Sequence, residues 1–340
     1  MTSYEQDVAV KKTHTADIII LSWDRLNDTL AAIESAINQK DVDLHVIVVD
    51  QGSKPETVSA LKDYCRTYPQ VSILCNEENQ GVPGGRNQAS SLGTSDYIIS
   101  LDNDAEFVDE YQVAKACDIL ANDTRLGAIA FRILRFGSFE DDVTSWSYHQ
   151  SISEWSTQAF YTDRFVGAGH AIRRSAFDAI NGYDATLFFL HEEVDLSKRL
   201  INLNYKIVYT PDVVIGHKVS KEHRVAWTAG RWQYDVRNRT YLHIKHKTFF
   251  PTAVFHTLLM LHKGFKSGLF GSTMKGLFKG IALFPQAAKC WRSKDALVVN
   301  PKAKQYLDQC SPTQGMSVWE RVVMRVKANK SLPLKGVKND

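Results

Sequence analysis

The sequence predicts an α/β fold with a mostly parallel central sheet flanked by helices, followed by a helical basic extension. Two observations carry this. Between Asp17 and Asp104 short β-branched runs alternate with longer amphipathic segments, the pattern that builds a parallel sheet covered on both faces. From Val236 to Lys294 the chain has no aspartate or glutamate in 59 residues but 11 lysines and arginines, with apolar residues recurring among them. With 340 residues and 44% hydrophobic content, there is material for one large α/β domain and an appendage, or for two ordinary domains.

Taken in order, residues 17–22, 44–50, 71–75 and 97–101 read as buried strands, and 28–39, 56–68 and 86–92 as helices. Ligands on such sheets sit outside the carboxyl ends of the strands. Three of these ends carry polar groups: Ser22-Trp23-Asp24-Arg25, Asp50-Gln51-Gly52-Ser53 and Asp102-Asn103-Asp104. Over 126–161 the periodicity fades among aromatics and acids, which predicts an irregular region. Residues 188–200 then combine an aromatic pair, Phe188-Phe189, with three acids, Glu192, Glu193 and Asp195, at the start of a helix whose apolar face is Val194, Leu196 and Leu200. The helix macrodipole accounts for acids in a first turn. Residues 205–209 form another strand, and a further apolar run ends at His217.

Asp102 and Asp104, two carboxylates at a strand end separated by one residue, suit a hard cation. Mg²⁺ or Mn²⁺ keeps several waters and shares its other positions with phosphates, so the implied ligand is a diphosphate. The glycine-rich stretch with Gly81, Gly85, Arg86 and Asn87 opens a helix and offers backbone donors to an anion, although a turn without a ligand explains the glycines almost as well. It has neither a P-loop ending nor a dinucleotide fingerprint. Histidine after an apolar run, as at His217, is by itself more often a satisfied group than a metal ligand.

A net charge of +3 gives no overall field for nucleic acid. The five cysteines show no metal-ligand spacing and read as thiols in a reducing cytoplasm. No secretory signal or membrane-spanning run is read. The domain boundaries that follow are a polar segment over 1–15, an α/β domain over 16–247, a basic amphipathic helical region over 248–330 and a flexible tail over 331–340.

Together the motifs resemble the family-2 inverting glycosyltransferases of GT-A fold, in particular a bacterial rhamnosyltransferase-like group. The resemblance covers about residues 17–247. It is carried in order by Asp50-Gln51-Gly52-Ser53, Asn79 with Gly81 and Asn87, Leu101-Asp102-Asn103-Asp104, Gly182-Tyr183-Asp184, Phe188-Phe189 with Glu192 through Leu196, Pro211, His217 and Arg237-Asn238. It implies Asp50 near the nucleotide base, with Ser22 and Arg25 at the same end of the cleft. Asp102, Asp104 and His217 would hold Mn²⁺ or Mg²⁺, and Asn103 would meet the nucleotide or solvent. The family usually has Glu-Asp at the helix start, with the aspartate as catalytic base. Glu193 stands at that place here, one methylene longer, so Glu192 stays a candidate beside it. Trp23 and Arg25 also depart from the commoner Thr-Tyr-Asn-Arg.

The implied activity is metal-dependent transfer of a sugar, with inversion, from a nucleotide-diphosphate donor to a hydroxyl of a glycan or lipid-linked acceptor in envelope or exopolysaccharide synthesis. A dTDP-linked rhamnose or a UDP-linked hexose is the expected donor. The alternative is a catalytically retired domain that binds a nucleotide sugar as a scaffold. The basic segment over 248–294 fits an anionic membrane surface, against packing on the domain or a second subunit, with a homo-oligomer left open. No nucleic-acid motif accompanies it. The expected location is cytoplasmic, peripheral on the inner face of the cell membrane.

Overall fold

The computed structural model describes residues 14–218, 229–292 and 300–310. The expected tail over 331–340 and the first thirteen residues lie outside these. Strand β1 (His14–Ser22) is apolar on both faces, with Ile18, Ile19 and Ile20 at most 1% exposed, so it sits inside the sheet. It pairs in parallel with β2 (Val42–Asp50) and with β4 (Tyr97–Asp102), and β2 pairs in parallel with β3 (Val71–Cys75). Helices α1 (Leu26–Ile37), α2 (Pro55–Cys65) and α3 (Gly81–Leu92) make the crossovers. The helix expected at 86–92 begins five residues earlier, at Gly81. The glycine-rich stretch is therefore the first turns of α3, with Pro83 where a missing N–H costs nothing.

Beyond Asp102 the sheet turns mixed. Its full order is β3-β2-β1-β4-β8-β6-β9-β5, with β7 also on β9. Strands β5 (Ala105–Phe107), β7 (Phe160–Thr162) and β8 (Gly169–Arg173) run antiparallel to their neighbours, whereas β6 (Leu126–Arg135) and β9 (Lys206–His217) pair in parallel. β6 corrects the expectation of an irregular region from 126. It is an interior strand, buried at eight of its ten positions, in which Gly127, Ala128 and Ala130 dilute the β-branched character that marks such strands. The run from 136 to 159 is irregular as expected, holding only the single turn α5 (Ile152–Trp155). β9 joins the two apolar runs that flank Pro211. The register slips between Phe131 and Arg132 of β6, opposite the Thr210 to Val214 stretch, a bulge that accommodates a residue unable to donate.

Helix α4 (Gln112–Asn122) and α1 cover one face of the sheet. The other is covered by α6 (Arg174–Ala179) and α7 (Glu192–Asn202), while the 3₁₀ turn at Ala185–Leu187 packs Leu187 against Tyr241, Leu242 and Ala287. Then come α8 (Ala229–Lys245), α9 (Phe250–Lys266), α10 (Phe270–Ala282), α11 (Phe284–Arg292) and α12 (Pro301–Cys310). α10 lies close on α8 because Gly276 and Gly280 face it. A Cβ at either would come within 2.8 Å of Gln233 or Thr240. The extension expected over 248–330 does not behave as one unit. α12 returns to the main sheet, where Ala303, Tyr306 and Cys310 join the core beside β7 and β9. No disulfide joins cysteines among the described residues, and no helix among them is long and apolar enough to cross a membrane.

Candidate active site

Sheet register assembles the acidic cluster. Asp102 ends β4, Asp104 precedes β5, and β5 pairs with β9 so that Ala105 faces His217. The imidazole Nε2 then lies 3.4 Å from Asp104 Oδ1. One ligand atom each from Asp102, Asp104 and His217 fall within 4.8 Å of one another, a spacing that small side-chain rotations close onto one divalent ion with oxygen and imidazole donors at ~2.1 Å. The donor set fits such an ion. Behind His217, Nδ1 is 3.1 Å from Asp142 Oδ2. Asp142 is held by Thr144 N at 3.0 Å and by the Thr144 and Ser145 hydroxyls at 2.5 Å. This carboxylate–histidine arrangement fixes the ring with Nε2 toward the acids.

Positive groups occupy the cluster as it stands. Arg25 Nη1 donates to Asp104 Oδ2 at 2.6 Å. Burial works to lower the His217 pKa, but its bonds to Asp104 and Asp142 outweigh that and push it up to about 10. Burial likewise works to raise Asp104, and hydrogen bonds from His217 and Arg25 overcome it and hold the carboxyl below its ordinary range.

One guanidinium joins this cluster to the start of α7. Arg86 is 3% exposed; its Nη1 donates to Glu193 Oε1 at 3.1 Å and its Nη2 to Asp102 Oδ1 at 3.3 Å and Gly167 O at 2.8 Å. A Cβ at Gly167 would stand 2.4 Å from Glu193 Oε1, so a side chain there would push that carboxylate aside. Glu192, next to it, is 4% exposed and its Oε2 has no hydrogen-bond partner among the described residues. Burial, then the neighbouring Glu193 charge, push its carboxyl up to about 8.

The chain reaches α7 through a strained loop: Phe188, Leu190 and His191 have φ of 62°, 73° and 71°, a region costing side-chain-bearing residues roughly 1–2 kcal/mol each. The hold comes from α8. Asn238 Nδ2 donates to the carbonyls of Leu187, Phe189 and Leu190 at 2.9, 2.7 and 2.8 Å. Arg237 reaches Thr186 O and Leu187 O, and His191 Nε2 is 2.7 Å from Asp235 Oδ1.

The structure brings Arg25, Arg86, Asp102, Asp104, Glu192, Glu193 and His217 into one neighbourhood and gives the remaining expected residues supporting contacts. Ser22 is fully buried with its hydroxyl 3.3 Å from Thr29 Oγ1, which also accepts from Asn103 Nδ2 at 3.2 Å. Asp50, also buried, caps its own turn through Gly52 N, Ser53 N and Ser53 Oγ. Gly81 N–H is taken by Asn79 Oδ1 and Val82 N–H by Phe188 O, so these first donors of α3 are already engaged. Gly81 and Gly85 allow close approach to Phe188 and Gln51, and Asn87 binds both N and O of Tyr183. Sequence reasoning missed Asp142. Its signal was Thr144 and Ser145 two and three residues on, the pattern of an Asx turn, with nothing to link it to a histidine 75 residues away.

Residues 17–180 match the family model for glycosyl transferase family 2. The chain is 27% identical over 124 residues to the chondroitin synthase of Escherichia coli, covering 36% of this chain and 18% of that one. It is 25% identical over 210 residues to the succinoglycan biosynthesis protein ExoA of Rhizobium meliloti (strain 1021), covering 58% and 62%. It thus spans less than two thirds of the length of either. The mannosyltransferase PcManGT from Pyrobaculum calidifontis, solved with GDP-Man and Mn²⁺, superposes with a TM-score of 0.55 at 18% identity, over 89% of this chain and 88% of that one.

Proposed function

We propose that this chain, whose residues 17–180 match glycosyl transferase family 2 and whose fold is GT-A, moves a sugar, with inversion, from a nucleotide-diphosphate donor to an acceptor hydroxyl. The observation that carries this is Arg86, which ties the acidic cluster at Asp102 to Glu193. A donor diphosphate at the cluster and an acceptor hydroxyl at Glu193 then lie on opposite sides of one sugar. The acceptor is a glycan or lipid-linked sugar of envelope or exopolysaccharide synthesis, and the enzyme works in the cytoplasm. A dTDP-rhamnose or UDP-hexose donor is the starting choice, and the GDP-Man of the mannosyltransferase makes GDP-sugars a third class.

Asp102, Asp104 and His217 would hold Mn²⁺ or Mg²⁺, which when bound supplies charge neutralisation for the departing diphosphate. Glu193 takes the acceptor's proton as its oxygen attacks, a role worth ~10²- to 10⁴-fold in rate. Arg86 keeps that carboxylate oriented. Glu192, its pKa pushed up to about 8, carries a proton at neutral pH and is not free to accept one. A single displacement inverts the anomeric centre.

The test is thermal unfolding with dTDP-, UDP- and GDP-sugars, with and without Mn²⁺, on the wild type and Asp104→Ala, followed by donor turnover. A metal-dependent rise for one nucleotide, lost in the variant, is expected. A rise with no hydrolysis or transfer to any glycan acceptor would sink the enzyme reading and leave a nucleotide-sugar-binding scaffold.

A further inference from the structure

Helix α9 has two apolar sides. One is buried, with Met260 against Val236 and Gly264 against Thr273. The other faces outward: Phe250, Val254, Leu258 and Phe265 recur at helical spacing and are 77, 40, 58 and 74% exposed. Phe249, just before the helix, is 75% exposed. At the far end the Phe270 ring packs edge-on at 6.4 Å from Phe265, carrying the stripe onto α10. Isolated exposed apolar side chains need no explanation, but an apolar stripe along one helix face does.

We propose that this face docks on an anionic lipid surface. Bulky apolar groups along one helix side enter the acyl boundary, and the basic groups beside them meet head groups. Lys266 on this helix and Lys275 and Lys279 on α10 are exposed, and the 59 residues from Val236 to Lys294 contain no acid. The charge selects lipid over the other occupants. A second copy using the same face would set lysines against lysines. Residues 311–340 of this chain hold six lysines and arginines against two acids, so they add to the repulsion. A polyanion with no apolar phase would engage the lysines and leave Val254 and Leu258 in water. The inference stands apart from the catalytic reading; with it, the acceptor class narrows to lipid-linked glycans.

The experiment is sedimentation of the full chain with phosphatidylcholine vesicles, with and without about one third phosphatidylglycerol, alongside light scattering of the protein alone. Binding to the anionic vesicles, weakened by salt, is expected. The triple variant Phe250→Ser, Leu258→Ser, Phe265→Ser should lose about tenfold or more in partitioning at unchanged unfolding temperature. Lys266→Gln with Lys275→Gln and Lys279→Gln should lose the preference for anionic lipid. Absence of wild-type binding, or equal binding by the triple variant, overturns the proposal. So does a wild-type dimer that the triple variant splits and vesicles do not, which would give the face to a second copy. Donor-induced thermal shifts are measured on the same variants, so failure here is separate from failure of the catalytic reading.

Discussion

Glu192 and Glu193 share the first turn of α7 but not their surroundings. Glu193 faces the Arg86 guanidinium at 3.1 Å, while one oxygen of Glu192 is buried without a partner among the described residues. Glu193→Gln is therefore expected to lower kcat by ~10²-fold or more with the donor-induced thermal shift retained. Glu192→Gln, which only makes permanent the uncharged form, should stay within about tenfold of wild type. The reverse order in a steady-state assay would move the base to Glu192. His217 gives a second residue-level prediction. Its pKa is raised above the unfolded value of 6.5 to about 10, so in metal-free protein it contributes stability fully present below pH 6.5 and lost as pH rises through 10. His217→Gln should cost on the order of 2 kcal/mol at pH 6 and far less at pH 10, read as the difference in unfolding midpoint in chelator. Mn²⁺ must displace that proton, so titration at pH 7 in buffers of different ionisation heat should show about one proton released. Equal destabilisation by the variant at both pH values would remove the ion-paired histidine from the account.

At the scale of elements, the site depends on a loop the chain would not adopt unaided. Three left-handed residues between Phe188 and His191 are kept in place by Asn238 on α8. Asn238→Ala strips one donor from three carbonyls. It should cost ~1–3 kcal/mol of stability and, with Glu193 as the proposed base, lower kcat more than it raises KM for the donor, because it loosens the start of α7 and not the Asp102–Asp104–His217 cluster. Loss confined to donor KM would show that the loop positions donor instead. The sequence disclosed these elements unevenly. β1, β2 and β4 were readable because apolar runs ending in polar residues mark buried parallel strands. β6 was not, because Gly127, Ala128 and Ala130 dilute its β-branched character and Arg132 interrupts the run. The glycines of α3 advertised an anion site, yet Gly81 and Gly85 serve close packing against Phe188 and Gln51, which composition alone cannot distinguish. Asp102, Asp104 and His217 could be grouped from the sequence because chemistry restricts residue type, and their ligand atoms lie within 4.8 Å of one another. Asp142 acts through His217, and only the fold brings it there.

Across the whole molecule, the basic tail read as one appendage because charge is visible in sequence and chain reversal is not. α8 to α10 pack together, but α12 crosses back to the sheet, where the single proton of the Tyr306 hydroxyl is shared between Thr162 O and Ile207 O at 2.9 and 2.8 Å and its oxygen accepts from Ile207 N at 3.0 Å. That hydroxyl satisfies β7 and β9 backbone groups that other strands leave open. Tyr306→Phe should therefore destabilise the catalytic sheet itself by ~1–3 kcal/mol, seen as a lower urea midpoint for the transition followed by a probe in β9. If α12 were part of an independent appendage, the sheet's midpoint would not move and only a separate early transition would shift. The coupling matters for function because β9 also carries His217 at its far end. Weakening the Tyr306 clamp should thus lower Mn²⁺ affinity slightly, whereas a serine at exposed Phe265 should leave both the midpoint and the affinity unchanged.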